Sequence, residues 1–188
     1  MVGLQRGTVK LYDHEETWEI EARSTIARLK TILGDTARDI QHVGSTAILS
    51  IKAKPIIDIE VDFDDFANIR AFEPKRKADG FHYRPNTNIE NQLLFASGSY
   101  YEGTGEIQTH FIHVVRTDST EWKNYIRFRD YLNCTPSAAK EYEDLKVALA
   151  ERAPIDHGRE KYLRGKHDFI ADTLKTAAQI FSAEPESV

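Results

Sequence analysis

Residues 55–63 constrain the fold more than any other segment, because apolar and acidic side chains alternate along them. A period of two is typical of a β-strand with one apolar face. The apolar set is Ile57, Ile59, Val61 and Phe63, and the acidic set is Asp58, Glu60 and Asp62. The strand therefore needs a partner layer over its apolar face, and its other face presents neighbouring carboxylates.

The rest of the first 117 residues mixes helical and strand patterns. Apolar spacings of three and four predict a helix over residues 15–33, with Gly34 as its C-cap. A second helix is expected from Asp64 or Asp65 to near Gly80. Further strands are predicted over residues 8–12, 40–43, 81–84, 92–96 and 106–116, and loops over 85–91 and 97–105.

After Thr117 the pattern becomes helical. Ser119 is a typical N-cap, Pro136 fits the first position of a second helix, and a third is expected over 157–181. The expected fold is α+β, a mixed sheet flanked by helices. We expect a core of residues 1–117, packed C-terminal helices over 118–183 and a flexible tail over 184–188.

Composition excludes several classes of protein. The net charge of −5 disfavours nucleic acid as a partner, because such proteins need excess Lys and Arg to neutralise phosphates. Cys134 is the only cysteine, so neither an intrachain disulfide nor a cysteine-based zinc site can form. No apolar run approaches the length of a membrane span, about 20 residues, and no signal peptide is evident. A cytoplasmic protein without membrane partners is expected.

The chemically informative residues are Gly44-Ser45 and, further along the chain, Asp58-x-Glu60. Two carboxylates on one strand face suit Mg²⁺, which is often bound by one or two carboxylates and substrate phosphates. Glycine allows close approach of a phosphate to the backbone, and Ser45 and Lys54 could contact it. Each feature alone is also consistent with an ordinary turn or with solvated surface acids.

The two features together resemble the polymerase-β-like nucleotidyltransferase superfamily, and the longer motifs resemble the GrpB family. The resemblance extends from about residue 9 to 170. Its most specific stretches are Gln41-His42-Val43-Gly44-Ser45-Thr46-Ala47, Lys54-Pro55-Ile56-Ile57-Asp58-Ile59, Gly80-Phe81-His82-Tyr83-Arg84-Pro85 and Thr109-His110-Phe111-Ile112-His113-Val114-Val115.

The resemblance implies magnesium-dependent (or manganese-dependent) transfer of a nucleotidyl group from a nucleoside triphosphate. It places Asp58 and Glu60 as metal ligands and Gly44 and Ser45 at the triphosphate. The superfamily's third carboxylate is missing from the strand over 108–115, which offers His110 and His113 instead. These two face opposite sides of a regular strand, and His113 is the preferred substitute as a metal ligand or base.

Other residues could border the same cleft. Lys54, Arg84 and Arg129 are candidate nucleotide contacts, although Arg84 could equally be an exposed arginine and Arg129 could instead form a salt bridge with a neighbour on its helix. Three lysines and a tyrosine of the C-terminal helices could also edge the cleft, namely Tyr142, Lys146, Lys161 and Lys166, but helical lysines are usually solvated. Gln92-Leu93-Leu94-Phe95 stands where relatives tend to have a basic residue before aromatic ones.

Two functions from different classes remain open. The first is nucleotidyl transfer from a nucleoside triphosphate to an unidentified acceptor. The alternative is a catalytically inactive nucleotide-binding or accessory module of the same fold, which the missing third carboxylate favours. A phosphoesterase using both His110 and His113 would need the two imidazoles on one side of the strand. The sequence does not determine the acceptor, the nucleobase preference or the oligomeric state.

Overall fold

The computed structural model describes residues 1–64, 80–84, 92–98, 100–101, 105–153 and 158–182. Within these ranges the main sheet contains β2 (Ala37–Val43), β3 (Ile57–Phe63), β4 (Phe81–Tyr83), β5 (Gln92–Ser97) and β8 (His110–Arg116). Its strand order is β2–β3–β8–β5–β4, with β3 and β8 parallel and the other neighbours antiparallel. A small second sheet joins β1 (Leu4–Gln5), β7 (Gly105–Gln108) and β6 (Tyr100–Tyr101).

The apolar face of β3 is covered by a partner layer, as the alternation along this strand predicts. The apolar residues of β3 are fully buried in the core, against helix α1 (Glu16–Leu33). That helix contributes Trp18, Ala22, Leu29 and Leu33, which recur at the spacing of one helical face. The helix ends at Gly34, whose φ of 55° lets its N–H donate to the Lys30 carbonyl. The α+β prediction and this helix are confirmed.

The acidic face of β3 is covered by the C-terminal helices. These are α2 (Thr120–Cys134), α3 (Pro136–Arg152), α4 (Gly158–Gly165) and α5 (His167–Ser182). The Ser119 hydroxyl caps α2 by accepting from the Trp122 N–H, as predicted. A second apolar cluster joins α2 and α3 to the segment after β2, and its buried members are Ile48, Ile51, Leu132, Ala139 and Tyr142. In the part of the chain described, no helix is long and apolar enough to cross a bilayer.

Two of the strand predictions are wrong. Residues 8–12 form no strand; Tyr12 makes one isolated bridge to Ala53, through a pair of backbone hydrogen bonds. The segment 106–116 is two strands, because the chain changes partners at Thr109. The Thr109 N–H donates to Ser97 and its carbonyl accepts from Ile57, so β7 and β8 join different sheets. Part of the expected loop over 97–105 is also strand, namely β6 and the start of β7.

The expected third C-terminal helix is in fact two helices, α4 and α5. They are separated near Gly165, where a Cβ would lie 2.4 Å from the Leu149 Cδ2 atom. The close approach of α4 to α3 at this point has no counterpart in the apolar periodicity of the sequence. The expected helix before Gly80, the loop over 85–91 and the tail over 184–188 lie outside the described residues.

Candidate functional site

A tight turn follows β2 and lies directly against β3. Gly44 has a φ of 72°, and a single 3-10 turn (Ser45–Ala47) follows it. A Cβ at Gly44 would lie 2.5 Å from the Asp58 Oδ2 atom, closer than such atoms can approach. Glycine is therefore required for two reasons: the backbone is left-handed at this position, and Asp58 leaves no space for a Cβ atom. The sequence motifs Gly44-Ser45 and Asp58-x-Glu60 thus form one site.

His113 on β8 contacts the other oxygen of the Asp58 carboxylate. Its Nε2 atom is 3.1 Å from Asp58 Oδ1, and the Asp58 side chain remains 27% exposed. Since β3 and β8 are parallel neighbours with Glu60 opposite His113, the imidazole lies on the acidic face. His110 lies on the opposite face, where Nε2 is 3.1 Å from the Thr25 hydroxyl. A site using both imidazoles is therefore excluded by geometry.

Two residues that sequence reasoning did not assign to the site contact the second nitrogen of His113. The Gln92 Nε2 atom lies 2.6 Å from Nδ1, and the Tyr125 hydroxyl lies 3.3 Å from it. In the sequence, Gln92 stands out only as part of a departure from the family pattern. The one sequence signal for Gln92 is that it is a polar residue at the start of an otherwise apolar strand.

Glu60 is fully buried beneath this face, and neither carboxylate oxygen has a hydrogen-bond partner among the described residues. Burial raises the pKa of Glu60 to about 9, with the Arg129 guanidinium opposing the shift and Asp62 and Glu121 adding to it. A buried carboxyl without a partner is costly for folding. Such a cost is typical of residues retained for a ligand.

The basic candidates occupy different surroundings. Lys54 lines the cavity next to this site, as expected for a phosphate contact. Arg129 donates to the Gln41 side chain at 3.0 Å and to the His42 carbonyl at 2.9 Å, so it supports β2 behind the site. Arg84 forms an ion pair with Glu106 and is not among the residues lining the cavity.

The cavity has a volume of about 480 Å³ and lies between the main sheet and the C-terminal helices. Its polar end includes Gly44, Ser45 and Asp58, while Phe111, Phe128 and Leu174 line an apolar part. The Ser45 hydroxyl lies 3.4 Å from the Tyr142 hydroxyl, which joins the turn after β2 to α3. A cavity of this size and polarity is suited to a small organic ligand with an anionic group.

The donor set fits a magnesium ion held jointly with a substrate. Asp58 and Glu60 offer carboxylate oxygens from one strand face, and those of Glu60 have no other partner among the described residues. Within the same residues, no group of three or more His, Cys, Asp or Glu side chains is arranged to hold an ion alone. Mg²⁺ commonly completes its coordination with water and substrate phosphates, which this arrangement would require.

Comparison with known proteins decides the family. The model of the family described as "GrpB protein" matches residues 8–176. The chain belongs to the GrpB family. It is 38% identical over 175 residues to the glutamate-rich protein GrpB of Alkalihalophilus pseudofirmus, covering 93% of this chain and 98% of that protein.

Solved structures agree with this GrpB assignment. The crystal structure of the conserved protein GrpB from Enterococcus faecalis superposes with a TM-score of 0.81 at 25% identity, over 92% of this chain and 99% of that one. The Cid1 poly(U) polymerase, solved with MgGTP bound, superposes with a TM-score of 0.51 at 14% identity. The match covers 75% of this GrpB chain and 45% of the Cid1 chain. The fold is therefore nucleotidyltransferase-like.

Proposed function

We propose that this GrpB protein is a metal-dependent nucleotidyltransferase acting on an unidentified acceptor. The observation that supports it best is the packing of the Gly44-Ser45 turn against Asp58, with Glu60 on the same strand face. This places a turn suited to phosphate beside the Asp58 carboxylate at one end of a cavity, with Glu60 buried on the same strand face. The fold shared with Cid1, whose structure was solved with MgGTP bound, supports the same class of ligand.

Each polar residue has a defined task in this proposal. Asp58 and Glu60 would hold the metal ion, which when bound neutralises phosphate charge and activates an acceptor oxygen. Ser45 and Lys54 would contact the phosphates, and Gly44 leaves room for the Asp58 side chain against the turn. His113 would orient Asp58, since its two ring nitrogens already have partners in Asp58 and Gln92.

The reaction is a balanced substitution at phosphorus. The acceptor oxygen forms a bond to the α-phosphorus while the bond from that phosphorus to the β-bridging oxygen breaks. Pyrophosphate leaves, and the acceptor's proton passes to solvent. In this scheme the positive charge of Arg129 favours the ionised form of Glu60. Arg84 is paired with Glu106 and lies outside the proposed nucleotide site.

Calorimetric titration of the four ribonucleoside triphosphates, with and without Mg²⁺, tests the proposal. We expect metal-dependent binding that Asp58→Asn and Glu60→Gln abolish. Asp64→Asn is the matched control, because Asp64 is an exposed acid just after β3. Absence of nucleotide binding by the native chain would refute the proposal. Transfer of α-phosphate label to a pool of metabolites, protein or RNA would then identify the acceptor class.

A second function has one specific observation in its favour. His113 lies on the strand next to β3, where the superfamily has its third carboxylate. The described residues contain no group of three metal-ligating side chains. A nucleotide-binding module without turnover would have these features. Metal-dependent binding without label transfer or pyrophosphate release, in every acceptor pool, would support this alternative.

A further inference from the structure

Helix α2 presents one face to the cavity, and part of that face has no role in the proposed site. Four residues of the helix line the cavity, namely Glu121, Asn124, Tyr125 and Phe128. Spacings of three and four residues place them on one side of the helix. We call these four residues the α2 wall. It combines two aromatic rings with a carboxylate and an amide.

The α2 wall extends from one end of the cavity toward the other. The Phe128 ring packs against the Tyr142 ring, with the centroids 5.2 Å apart, and the Tyr142 hydroxyl contacts the turn after β2. Tyr125, three residues earlier, has its hydroxyl 3.3 Å from the Nδ1 atom of His113 on β8. Glu121 is four residues earlier again, about 6 Å further along the helix axis. The carboxylate of the wall therefore belongs to the end that is distant from the turn after β2.

The polar members of the α2 wall have no partners among the described residues. Neither the Glu121 carboxylate nor the Asn124 amide forms a hydrogen bond or ion pair with another residue in that part of the chain. The lysines among the lining residues lie elsewhere, at the Tyr162 ring, with Lys54 and Lys166 at 5.3 Å and 4.7 Å from its centroid. Glu121 therefore presents a carboxylate and Asn124 an amide to the cavity, both available to a ligand.

Negative charge is concentrated around this part of the cavity. Burial raises the pKa of Tyr125, a hydrogen bond with Gln92 opposes the rise, and three carboxylates add to it. The carboxylates are those of Asp58, Glu60 and Glu121. A divalent ion held by the first two would offset their charges and leave that of Glu121. A cationic group on a ligand would compensate it, and the aromatic rings of the α2 wall attract cations as well.

The place of Glu121 along the cavity favours the acceptor as this ligand. In-line substitution requires the acceptor to approach phosphorus from the side opposite the leaving pyrophosphate. With the triphosphate at the turn after β2, that side is the part of the cavity over β8 and β5. Phe111 and Leu94 provide its apolar floor. A nucleobase carries no net charge, so it would leave the Glu121 carboxylate uncompensated.

We propose that the acceptor is a small cationic amine with an apolar body and a hydroxyl group, and that Glu121 binds its ammonium group. This inference rests on the proposed function and specifies its substrate class. The hydroxyl oxygen of the amine bonds to the α-phosphorus, pyrophosphate leaves, and the hydroxyl proton passes to solvent. The ammonium group serves recognition alone, with Asn124 as a second polar contact. The net charge of −5 also favours the approach of a cation.

The test compares tyramine with tyrosol, which carry an ammonium group and a hydroxyl group, respectively, on the same aromatic body. Calorimetric titration of each compound into the full chain should show that tyramine binds about tenfold more tightly, as expected for a hydrogen bond to a charged group. Glu121→Gln should remove this preference, and Glu121→Asp, which keeps the charge, should retain it. Because each result is a ratio of two affinities in one variant, a partial folding defect does not imitate it.

Glu16→Gln is the matched control for these titrations. Glu16 is an exposed acid in the first turn of α1, so it resembles Glu121 in its place on a helix but does not line the cavity. This variant should keep the full preference for tyramine. Equal affinity of the native chain for both compounds, or an unchanged preference in Glu121→Gln, would overturn the inference. Glu121 would then be an ordinary acid of a first helical turn.

Failure of this inference can be distinguished from failure of the proposed function. The titrations of tyramine and tyrosol need neither metal nor nucleotide, whereas the proposed function is tested by metal-dependent nucleotide binding and its loss in Asp58→Asn. If Glu121→Gln alters the preference among nucleoside triphosphates and not the preference for tyramine, the α2 wall binds the nucleobase and the inference is wrong. Transfer of α-phosphate label to tyrosol as readily as to tyramine would also contradict it.

Discussion

His113 contacts Asp58 through Nε2, at 3.1 Å, while the opposite ring nitrogen faces the Gln92 amide nitrogen at 2.6 Å. An amide nitrogen can only donate, so Nδ1 must accept, and the proton of a neutral imidazole then resides on Nε2. That proton is donated to Asp58 Oδ1. The other Asp58 oxygen, Oδ2, is left facing Gly44. Gln92 therefore determines, through His113, that Asp58 Oδ1 is the oxygen that accepts from the imidazole.

This relationship predicts the tautomer of His113. Long-range ¹H–¹⁵N spectra of the neutral imidazole should show the Nε2–H form in the native chain. Gln92→Leu should give a mixture of tautomers, because the donor to Nδ1 is lost. Tyr125→Phe, which removes the more distant hydroxyl at 3.3 Å, should leave the tautomer unchanged. A predominant Nδ1–H form in the native chain would contradict the prediction.

The contact between Gly44 and Asp58 predicts that Gly44→Ala disrupts the site. The added Cβ would meet Asp58 Oδ2 at 2.5 Å, and the left-handed φ adds strain. Strain and overpacking together should lower the free energy of unfolding by about 2–4 kcal/mol in urea titrations. Gly34→Ala is the control, since Gly34 also has positive φ but a Cβ there would have no neighbour within 4 Å. Equal losses in both variants would show that the contact with Asp58 is unimportant.

We expect that Glu60 serves ligand binding and lowers the free energy of unfolding. Glu60→Met replaces a buried, unpartnered carboxyl by an apolar side chain, so the free energy of unfolding should rise by about 1–2 kcal/mol. Metal-dependent nucleotide binding should be lost in the same variant. Asp62→Leu is the contrasting change, because Asp62 accepts from the Thr117 hydroxyl and its removal should destabilise the protein. A less stable Glu60→Met variant would contradict this account.

His42 should make the protein less stable in mild acid. Burial, aided by Arg129, His14 and His110 and opposed by Asp58, lowers the pKa of His42 from 6.5 to about 4. Between these values the unfolded chain binds a proton that the folded chain does not, so stability falls as the pH falls from 6.5 to 4. The loss can reach about 3 kcal/mol. Urea titrations across this range should show a smaller loss in His42→Asn.

The control for that experiment is His167→Asn, because the His167 side chain is 80% exposed. This variant should lose as much stability on acidification as the native chain. His42 accepts or donates a hydrogen bond with the Thr46 hydroxyl at 3.0 Å, and an asparagine side chain can make the same contact. An unchanged pH dependence in His42→Asn would assign the acid sensitivity to other groups.

The regular elements of the fold were largely predictable, because their patterns are local. The alternation along β3 and the spacing of Trp18, Ala22 and Leu29 on α1 depend on the geometry of one strand and one helix. The errors occurred where a distant contact decided the outcome. Thr109 changes strand partners through bonds to Ser97 and Ile57, and α4 and α5 separate near Gly165, where α4 approaches Leu149 of α3.

In the candidate site, too, some features follow from local sequence patterns and others from contacts between distant residues. The sequence by itself predicts that Gly44-Ser45 and Asp58-x-Glu60 act together, and alternation along a strand predicts that His110 and His113 face opposite sides. The family resemblance favoured His113 as the site residue, and the structure decided that it is His113 that lies on the acidic face. Only the tertiary structure decided that Gln92 and Tyr125 meet His113, and that Arg129 supports β2. It also decided that Lys146, on an ordinary amphipathic helix, is buried beside Lys54 and Lys166. Burial and proximity between elements depend on the packing of sheet against helices, which no local pattern specifies.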